Sequence, residues 1–319
     1  AVTGVQTCAL PILNYDRNEI LTYEEHDVSY TEFIHKDLKH FSNYDNSRSI
    51  PHIMDGLKPS QRKILYGAIL RGLDKEEIKV AQLSGYISEH TGYHHGEMSL
   101  QGAIVNMAQY YCGSNNINLL KPLGNFGSRR MGGKDAASSR YIFTQLSELT
   151  RNIYINKDEP ILKHNVEEGD VVEPESYYPI IPMILVNGSK GIGTGFSTDI
   201  MCYNPLQIIE YLKNKLLNIE DEIEFLPYYE GFKGEITKIS DSKFLIRGQY
   251  EKLGNDKIRI TELPVGYWTQ DLKELLEELI EPKQDKDGKK TPAIVKEYDR
   301  SEEHTSELQS RLHLVCRLL

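Results

Sequence analysis

Apolar positions recur at helical spacing through three successive stretches of the first half of the chain. Pro51 and Pro59 break the backbone. From Ser60 onward Ile64, Leu65, Ala68 and Ile69 mark one buried stripe, with Pro59 at the favoured entry of that helix. A second helix is predicted over Glu76 to Glu89. A third, after TGYHHG, is predicted from about Glu97 to Tyr111, with Leu100, Ile104, Met107, Ala108 and Tyr111 on one face. Short helix, turn, helix is the layout of a DNA reader whose second helix enters the major groove, and also of many helical domains that bind nothing. Upstream, residues 13–47 are polar and tyrosine-rich, with a helix-like patch in YTEFIHKDLKHF, and read as a linker or arm.

The second half changes period. PIIPMILV, from Pro179, reads as a buried strand delivering a glycine-rich turn, and Asn204 with Pro205 should cap and open a helix through Leu217. From Gly234 the pattern alternates. ITKI, KFLIRG and KIRITEL, separated by SDS and GND, predict an antiparallel meander. Thr269 to Ile280 predicts an amphipathic helix, and EPKQDKDGKKTP an exposed loop. The class is therefore α+β, with a domain boundary near residue 165 and no internal repeat.

Composition bounds this picture. A length of 319 residues allows two or three domains, and 39% hydrophobic content suits a globular chain. The longest apolar runs fall far short of the roughly 20 residues needed to cross a bilayer, so no membrane partner is expected. Both ends read as foreign. VTGVQTCALPI (Val2 to Ile12) and RSEEHTSELQ (Arg300 to Gln309) can be encoded by opposite strands of one oligonucleotide. Residues 1–12 and 300–319 are accordingly expected to be sequencing-adapter artefact, and the native chain to be cut at both ends. Outside those segments only Cys112 and Cys202 remain, which gives no disulfide framework or metal-ligand spacing and points to an intracellular protein. The net charge of -10 is unevenly spread. Arg48 to Tyr141 holds 12 Lys+Arg against 7 Asp+Glu, a local +5 that leaves -15 elsewhere, as for a basic working surface in an acidic frame.

Candidate chemistry lies in that basic span. GSRRMGGKDAASSRYIF places Arg129, Arg130, Lys134 and Arg140 on glycine-rich chain, followed by Tyr141. Phenols ionise only near about pH 10, so a nucleophilic tyrosine needs a base, a metal or a positive field, which these cations supply. With 20 Tyr in the chain, a packing tyrosine behind a surface loop is the plainer reading. Arg48, Lys58, Arg62 and Lys63 form a second cluster, and His94 and His95 can titrate or donate near neutrality. Such groups suit a phosphodiester, where charge develops on oxygen. GSKGIGTG (Gly188 to Gly195) lacks the phosphate-loop order and reads instead as a turn exposing Ile192, a wedge able to enter between base pairs.

RSIPHIMDGLKPSQRK, KVAQLSGYISEHTGYHHGEMSL, GSNNINLLKPLGNFGSRRMGGKDAASSRYIFT and PIIPMILVNGSKGIGTGFST closely resemble the breakage-and-reunion region of eukaryotic-type (type IIA) DNA topoisomerase II, over residues 28–280. The resemblance implies a winged-helix domain over 48–165, a partial mixed α/β tower domain over 166–299, and a linker from a Toprim domain over 13–47. It makes Tyr141 the nucleophile that becomes linked to the DNA 5' end, with Arg140 stabilising the transition state. Arg48 and Lys58 match the cations near the scissile phosphate, with His94 and His95 beside them and neither singled out. Ile192 matches the intercalating isoleucine. Arg62, Lys63, Arg129, Arg130 and Lys134 are expected to bind DNA. The resemblance also implies double-stranded DNA as partner, a homodimer, Mg²⁺ held by a Toprim domain and ATP held by an ATPase module, neither present here. The fragment alone should bind DNA but cleave poorly. A nuclear enzyme, or one of a large DNA virus acting in its host cell, fits equally. A non-catalytic architectural DNA-bending protein is the alternative.

Overall fold

The structure, a computed structural model, describes residues 15–22, 27–220, 223–280, 293–303 and 311–318, with 300–303 and 311–318 as backbone. The expected artefact at 1–12 and the loop 281–292 lie outside the described residues.

The first half runs α1 (Tyr30–Phe33), a π-helical turn (Ile34–Leu38), α2 (Lys39–Ser49), α3 (Pro59–Leu70), β1 (Ile78–Lys79), α4 (Val80–Thr91), α5 (Glu97–Ala108), β2 (Leu120–Leu123), β3 (Phe143–Leu146) and α6 (Thr150–Ile153). Then come β4 (His164–Glu167), β5 (Asp170–Pro174), α7 (Met183–Val186), β6 (Ser189–Ile192), β7 (Ser197–Ile200), α8 (Pro205–Leu216), β8 (Glu235–Ser240), β9 (Lys243–Arg247), β10 (Gln249–Lys252), β11 (Lys257–Glu262), α9 (Thr269–Ile280), β12 (Val295–Glu303) and β13 (Arg311–Leu318). Two compact units share them: residues 1–75, 83–103 and 146–202 form one, and 76–82, 104–145 and 203–319 the other.

In the first unit α3 follows its local signals. The Gln61 side chain accepts the Lys58 N–H at 2.9 Å, and Gly72 takes a left-handed φ of 74° that brings the Leu73 N–H to the Ala68 carbonyl at 3.1 Å. Ile64, Leu65 and Ala68 are buried as the stripe predicts, as are Leu83 and Ile87 of α4. Gly67 lets the two helices meet, since a Cβ there would stand 2.6 Å from Ile87 Cγ1. The strand expected at Pro179 to Val186 is corrected to a single helical turn, α7. Proline lacks the N–H a ladder needs but suits a helix entry, and Pro182 stands there while the Asn187 N–H returns to the Met183 carbonyl at 3.0 Å.

In the second unit β1, β3 and β2 form a sheet in the order β1-β3-β2. Ile78 pairs with Thr144 in it, so the second helix begins at Val80 and not at Glu76. The third helix ends at Ala108, short of Tyr111. The Asn115 amide donates to the carbonyls of Asn106 and Gln109 at 2.7 and 2.8 Å, taking the place of a further turn. The predicted alternation does form antiparallel ladders, but β8–β9 and β10–β11 are hairpins in separate sheets, not one meander. Between them Gly248 crosses so close to Glu262 that a Cβ would stand 2.2 Å from its carbonyl oxygen. The larger sheet has the order β10-β11-β13-β12. β13 lies within the segment expected to be adapter-derived, and a backbone ladder, which asks for no particular side chain, is neutral to that origin. Asn204 caps α8 by accepting the Leu206 N–H at 2.9 Å, and α9 spans the predicted Thr269–Ile280, burying Leu272 and Leu276 with Leu263 and Val295.

Candidate nucleic-acid interface

In the first unit the candidate residues gather around α2. Arg48 is exposed in its last turn, and one turn earlier Tyr44 Oη lies 2.5 Å from His95 Nε2. The β6–β7 hairpin docks on the same helix. The Thr194 hydroxyl donates to Asp45 Oδ2 at 2.8 Å, and the Asn46 amide donates to the Thr194 carbonyl at 3.0 Å. Gly191 and Gly193 face the helix, where a Cβ would stand 2.1 Å from the Ser49 carbonyl oxygen and 2.1 Å from Asn46 Oδ1. Side chains alternate along a strand, so Ile192 between them points away and is 74% exposed. Lys58, at the cap of α3, donates from Nζ to the Lys190 carbonyl at 2.8 Å, and burial pulls its ammonium below the ordinary lysine value. His94 is exposed in the loop before α5.

Two of the expected DNA-binding cations are corrected. Arg62 is buried against Asp55, donating from Nε at 2.7 Å and Nη2 at 3.0 Å, and to the Leu57 carbonyl at 2.8 Å. Lys63 is buried too, donating to Glu173 at 3.0 Å and to the Thr91 carbonyl at 2.5 Å, with Glu167 at 3.4 Å. A cation surrounded by protein acceptors holds the fold and has no donor turned toward a phosphate.

His95 is pushed below the ordinary histidine value of 6.5, first by burial, then by the Arg48 charge, with smaller effects of His94 and Lys63 against the opposing pull of Glu167. The folded ring resists protonation, so its contribution to stability is present above 6.5 and is lost as pH falls through the lower folded value. A titration of the His95 ring by NMR should give a midpoint below 6.5. A midpoint at or above it would contradict the arrangement of charges.

The second unit holds the basic loop. Asp135 closes it on itself, accepting the Ser128 N–H at 2.8 Å and the Ser128 hydroxyl at 2.5 Å. A Cβ on Gly132 would stand 2.4 Å from Trp268, and one on Gly133 2.4 Å from the Gln109 amide, so neither position has room for a side chain. Arg129 is half-buried and turns its Nη2 inward, 2.5 Å from Glu262 and donating to the Leu263 carbonyl at 2.8 Å. Arg130, Lys134 and Arg140 are exposed. Tyr141 follows on a tight turn, its N–H donating to the Ser138 carbonyl at 2.9 Å. The carbonyls on either side of it, Ser139 and Ile142, accept the first two N–H groups of α4, from Ala81 at 3.1 Å and Val80 at 3.0 Å. Those helix-end donors have no partner within the helix, so the bonds fix the turn. With Ile142 buried beside it, Tyr141 is thrown outward and is 78% exposed. An exposed phenol on a fixed backbone next to an arginine can attack a phosphate that reaches it.

Sequence reasoning did not find Tyr44, Asp55 or the support given by Trp268. Each acts on residues distant along the chain, and none carries a local signal. The phosphate-loop reading of Gly188 to Gly195 fails, because that stretch is a hairpin and opens no helix. Among the described residues no three His, Cys, Asp or Glu side chains gather to hold a metal ion, so no Mg²⁺ ligand is assigned. Nor is any helix among them long and apolar enough to cross a membrane.

A family model described as the DNA gyrase/topoisomerase IV A-subunit matches residues 48–314. The chain belongs to the type II DNA topoisomerases. It is 52% identical over 268 residues to DNA topoisomerase 2 of Plasmodium falciparum, covering 84% of this chain and 19% of that protein. Against DNA topoisomerase 2 of Acanthamoeba polyphaga mimivirus it is 49% identical over 269 residues, 84% of this chain and 21% of the relative. The crystal structure of the Plasmodium falciparum topoisomerase II DNA-binding, cleavage and re-ligation domain superposes with a TM-score of 0.85 at 46% identity, covering 98% of this chain and 41% of that one. The chain thus spans 19% of the Plasmodium enzyme, and its mixed α+β fold is that of a topoisomerase II cleavage and re-ligation domain.

Proposed function

We propose that this chain is the DNA-gate segment of a type II topoisomerase, in which Tyr141 cuts and rejoins duplex DNA. The observation that carries the reading is the exposed Tyr141 beside Arg140, on a turn fixed by backbone bonds, in a chain of this family. The phenol gives up its proton as its oxygen bonds to phosphorus at the 5' end, and the bond to the 3' oxygen breaks, that oxygen leaving with the electron pair and taking up a proton. Religation is the same exchange reversed. One phosphodiester replaces another, so neither direction requires an energy source.

Arg140 stabilises the charge that develops on the phosphate oxygens, and Arg48 and Lys58, with His94 and His95, bind the scissile region. Arg130 and Lys134 engage the backbone, and Ile192 enters between base pairs and kinks the duplex. The domains are read as a winged helix over 48–165 and a partial tower over 166–299, preceded by a linker over 13–47. Two copies in a homodimer open both strands. Mg²⁺ and ATP serve the whole enzyme from Toprim and ATPase modules, and the protein works in the nucleus or in a virus-infected cell. The relatives' shared name, DNA topoisomerase 2, supports the enzyme over a purely architectural protein.

The test is a chimera in which residues 28–280 replace the matching segment of the Plasmodium falciparum enzyme. It should relax supercoiled DNA. Inactivity of a folded, DNA-binding chimera would contradict the reading. Ile192→Ala is expected to leave stability within about 0.5 kcal/mol, because the side chain is exposed. It should also reduce the DNA bend measured by energy transfer across a labelled duplex, and an unchanged bend would remove the wedge role.

A further inference from the structure

His95 has a partner that the reaction described above does not use. Tyr44 Oη lies 2.5 Å from its Nε2 and 3.5 Å from its Nδ1, and the two rings meet with centroids 5.8 Å apart. Tyr93 packs edge-on against the same ring at 5.5 Å. Tyr44 stands one helical turn before Arg48, so phenol and guanidinium share a face of α2.

We propose that Tyr44 is a positioning residue for His95, holding it as the neutral tautomer protonated at Nδ1, whose N–H donates to a phosphate oxygen of bound DNA. The proposal rests on the topoisomerase reading for its phosphate, but not for the tautomer. The groups facing the ring are Arg48 from α2, Lys63 from α3, His94 from its own loop and Glu167 from β4. Three of these are cationic or can become so, and they oppose a second ring proton. A neutral imidazole has one N–H and one lone pair. The phenol O–H is the stronger donor of the pair, so it donates to the Nε2 lone pair and the ring proton is left on Nδ1. The ring is thereby fixed both in orientation and in which nitrogen donates. A phosphodiester oxygen has no proton to offer, so the ring can bind it only through a ring N–H, which makes the tautomer matter for binding the scissile group.

Ring ¹⁵N chemical shifts of His95 in the chain test this without any activity. The Nδ1–H form should dominate, and Tyr44→Phe, which keeps the ring and removes one hydrogen bond, should move the tautomer ratio about tenfold toward Nε2–H. A wild-type ring protonated mainly at Nε2, or a ratio unmoved by the substitution, would overturn the proposal. In the Plasmodium chimera, Tyr44→Phe should lower the cleavage rate at saturating DNA about fivefold while changing the DNA concentration for half-saturation less. An unchanged rate would overturn the role in phosphate binding even if the tautomer shifts. Failure of the unsubstituted chimera to cleave would instead count against the topoisomerase reading, with the shift measurement still deciding the tautomer.

Discussion

In the chimera, Tyr141→Phe is expected to abolish covalent capture of DNA, lowering it by more than about 10³-fold, the scale on which loss of a nucleophile is felt. The substitution removes one oxygen and keeps the ring. Because Tyr141 is 78% exposed and its turn is held by backbone bonds at Val80, Ala81 and Ser138, stability should stay within about 0.5 kcal/mol of the unsubstituted chain. Duplex binding should also persist, since the exposed cations Arg130, Lys134 and Arg140 remain. Loss of binding together with capture would mean that the phenol holds DNA rather than reacting with it. Capture that survives would transfer the nucleophile to another residue.

Asp55→Ala is expected to cost about 3–5 kcal/mol of folding stability, read from the urea midpoint. Asp55 is fully buried and its carboxylate accepts from four donors: Arg62 Nε at 2.7 Å, Arg62 Nη2 at 3.0 Å, the Leu57 N–H at 2.9 Å and the Tyr177 N–H at 3.0 Å. Removing it strands a buried guanidinium whose remaining acceptor is the Leu57 carbonyl. The damage should extend to the site, because Asp55 and Arg62 shape the loop that leads to Lys58. A loss below about 1 kcal/mol would show that water reaches the pair and that Arg62 behaves as a surface cation, as its sequence alone suggests.

Features set by neighbours in sequence were legible. The Asn204 cap and the bounds of α9 each follow from local chemistry, and the structure reproduces them. Features set by partners far along the chain were not. Arg62 and Lys63 sit in a basic motif and look like DNA contacts, but Lys63 meets Glu173, 110 residues away. Tyr44 and His95 are 51 residues apart. The apolar run before Asn187 was too short for periodicity to separate strand from helix, and Pro182 decided it. In the basic loop a glycine marks a close approach but not its partner, which is Trp268 at Gly132 and Gln109 at Gly133. The exposure expected of Ile192 on its turn is found, and Tyr141 also projects outward.

The central claim is that Tyr141 forms the bond to DNA. The direct measurement is to trap the chimera on a duplex, digest protein and nucleic acid, and locate the residual nucleotide by mass spectrometry. The account predicts a single modified peptide with the nucleotide on Tyr141, joined through the 5' phosphate. A nucleotide on any other residue, or a 3' linkage, would contradict it.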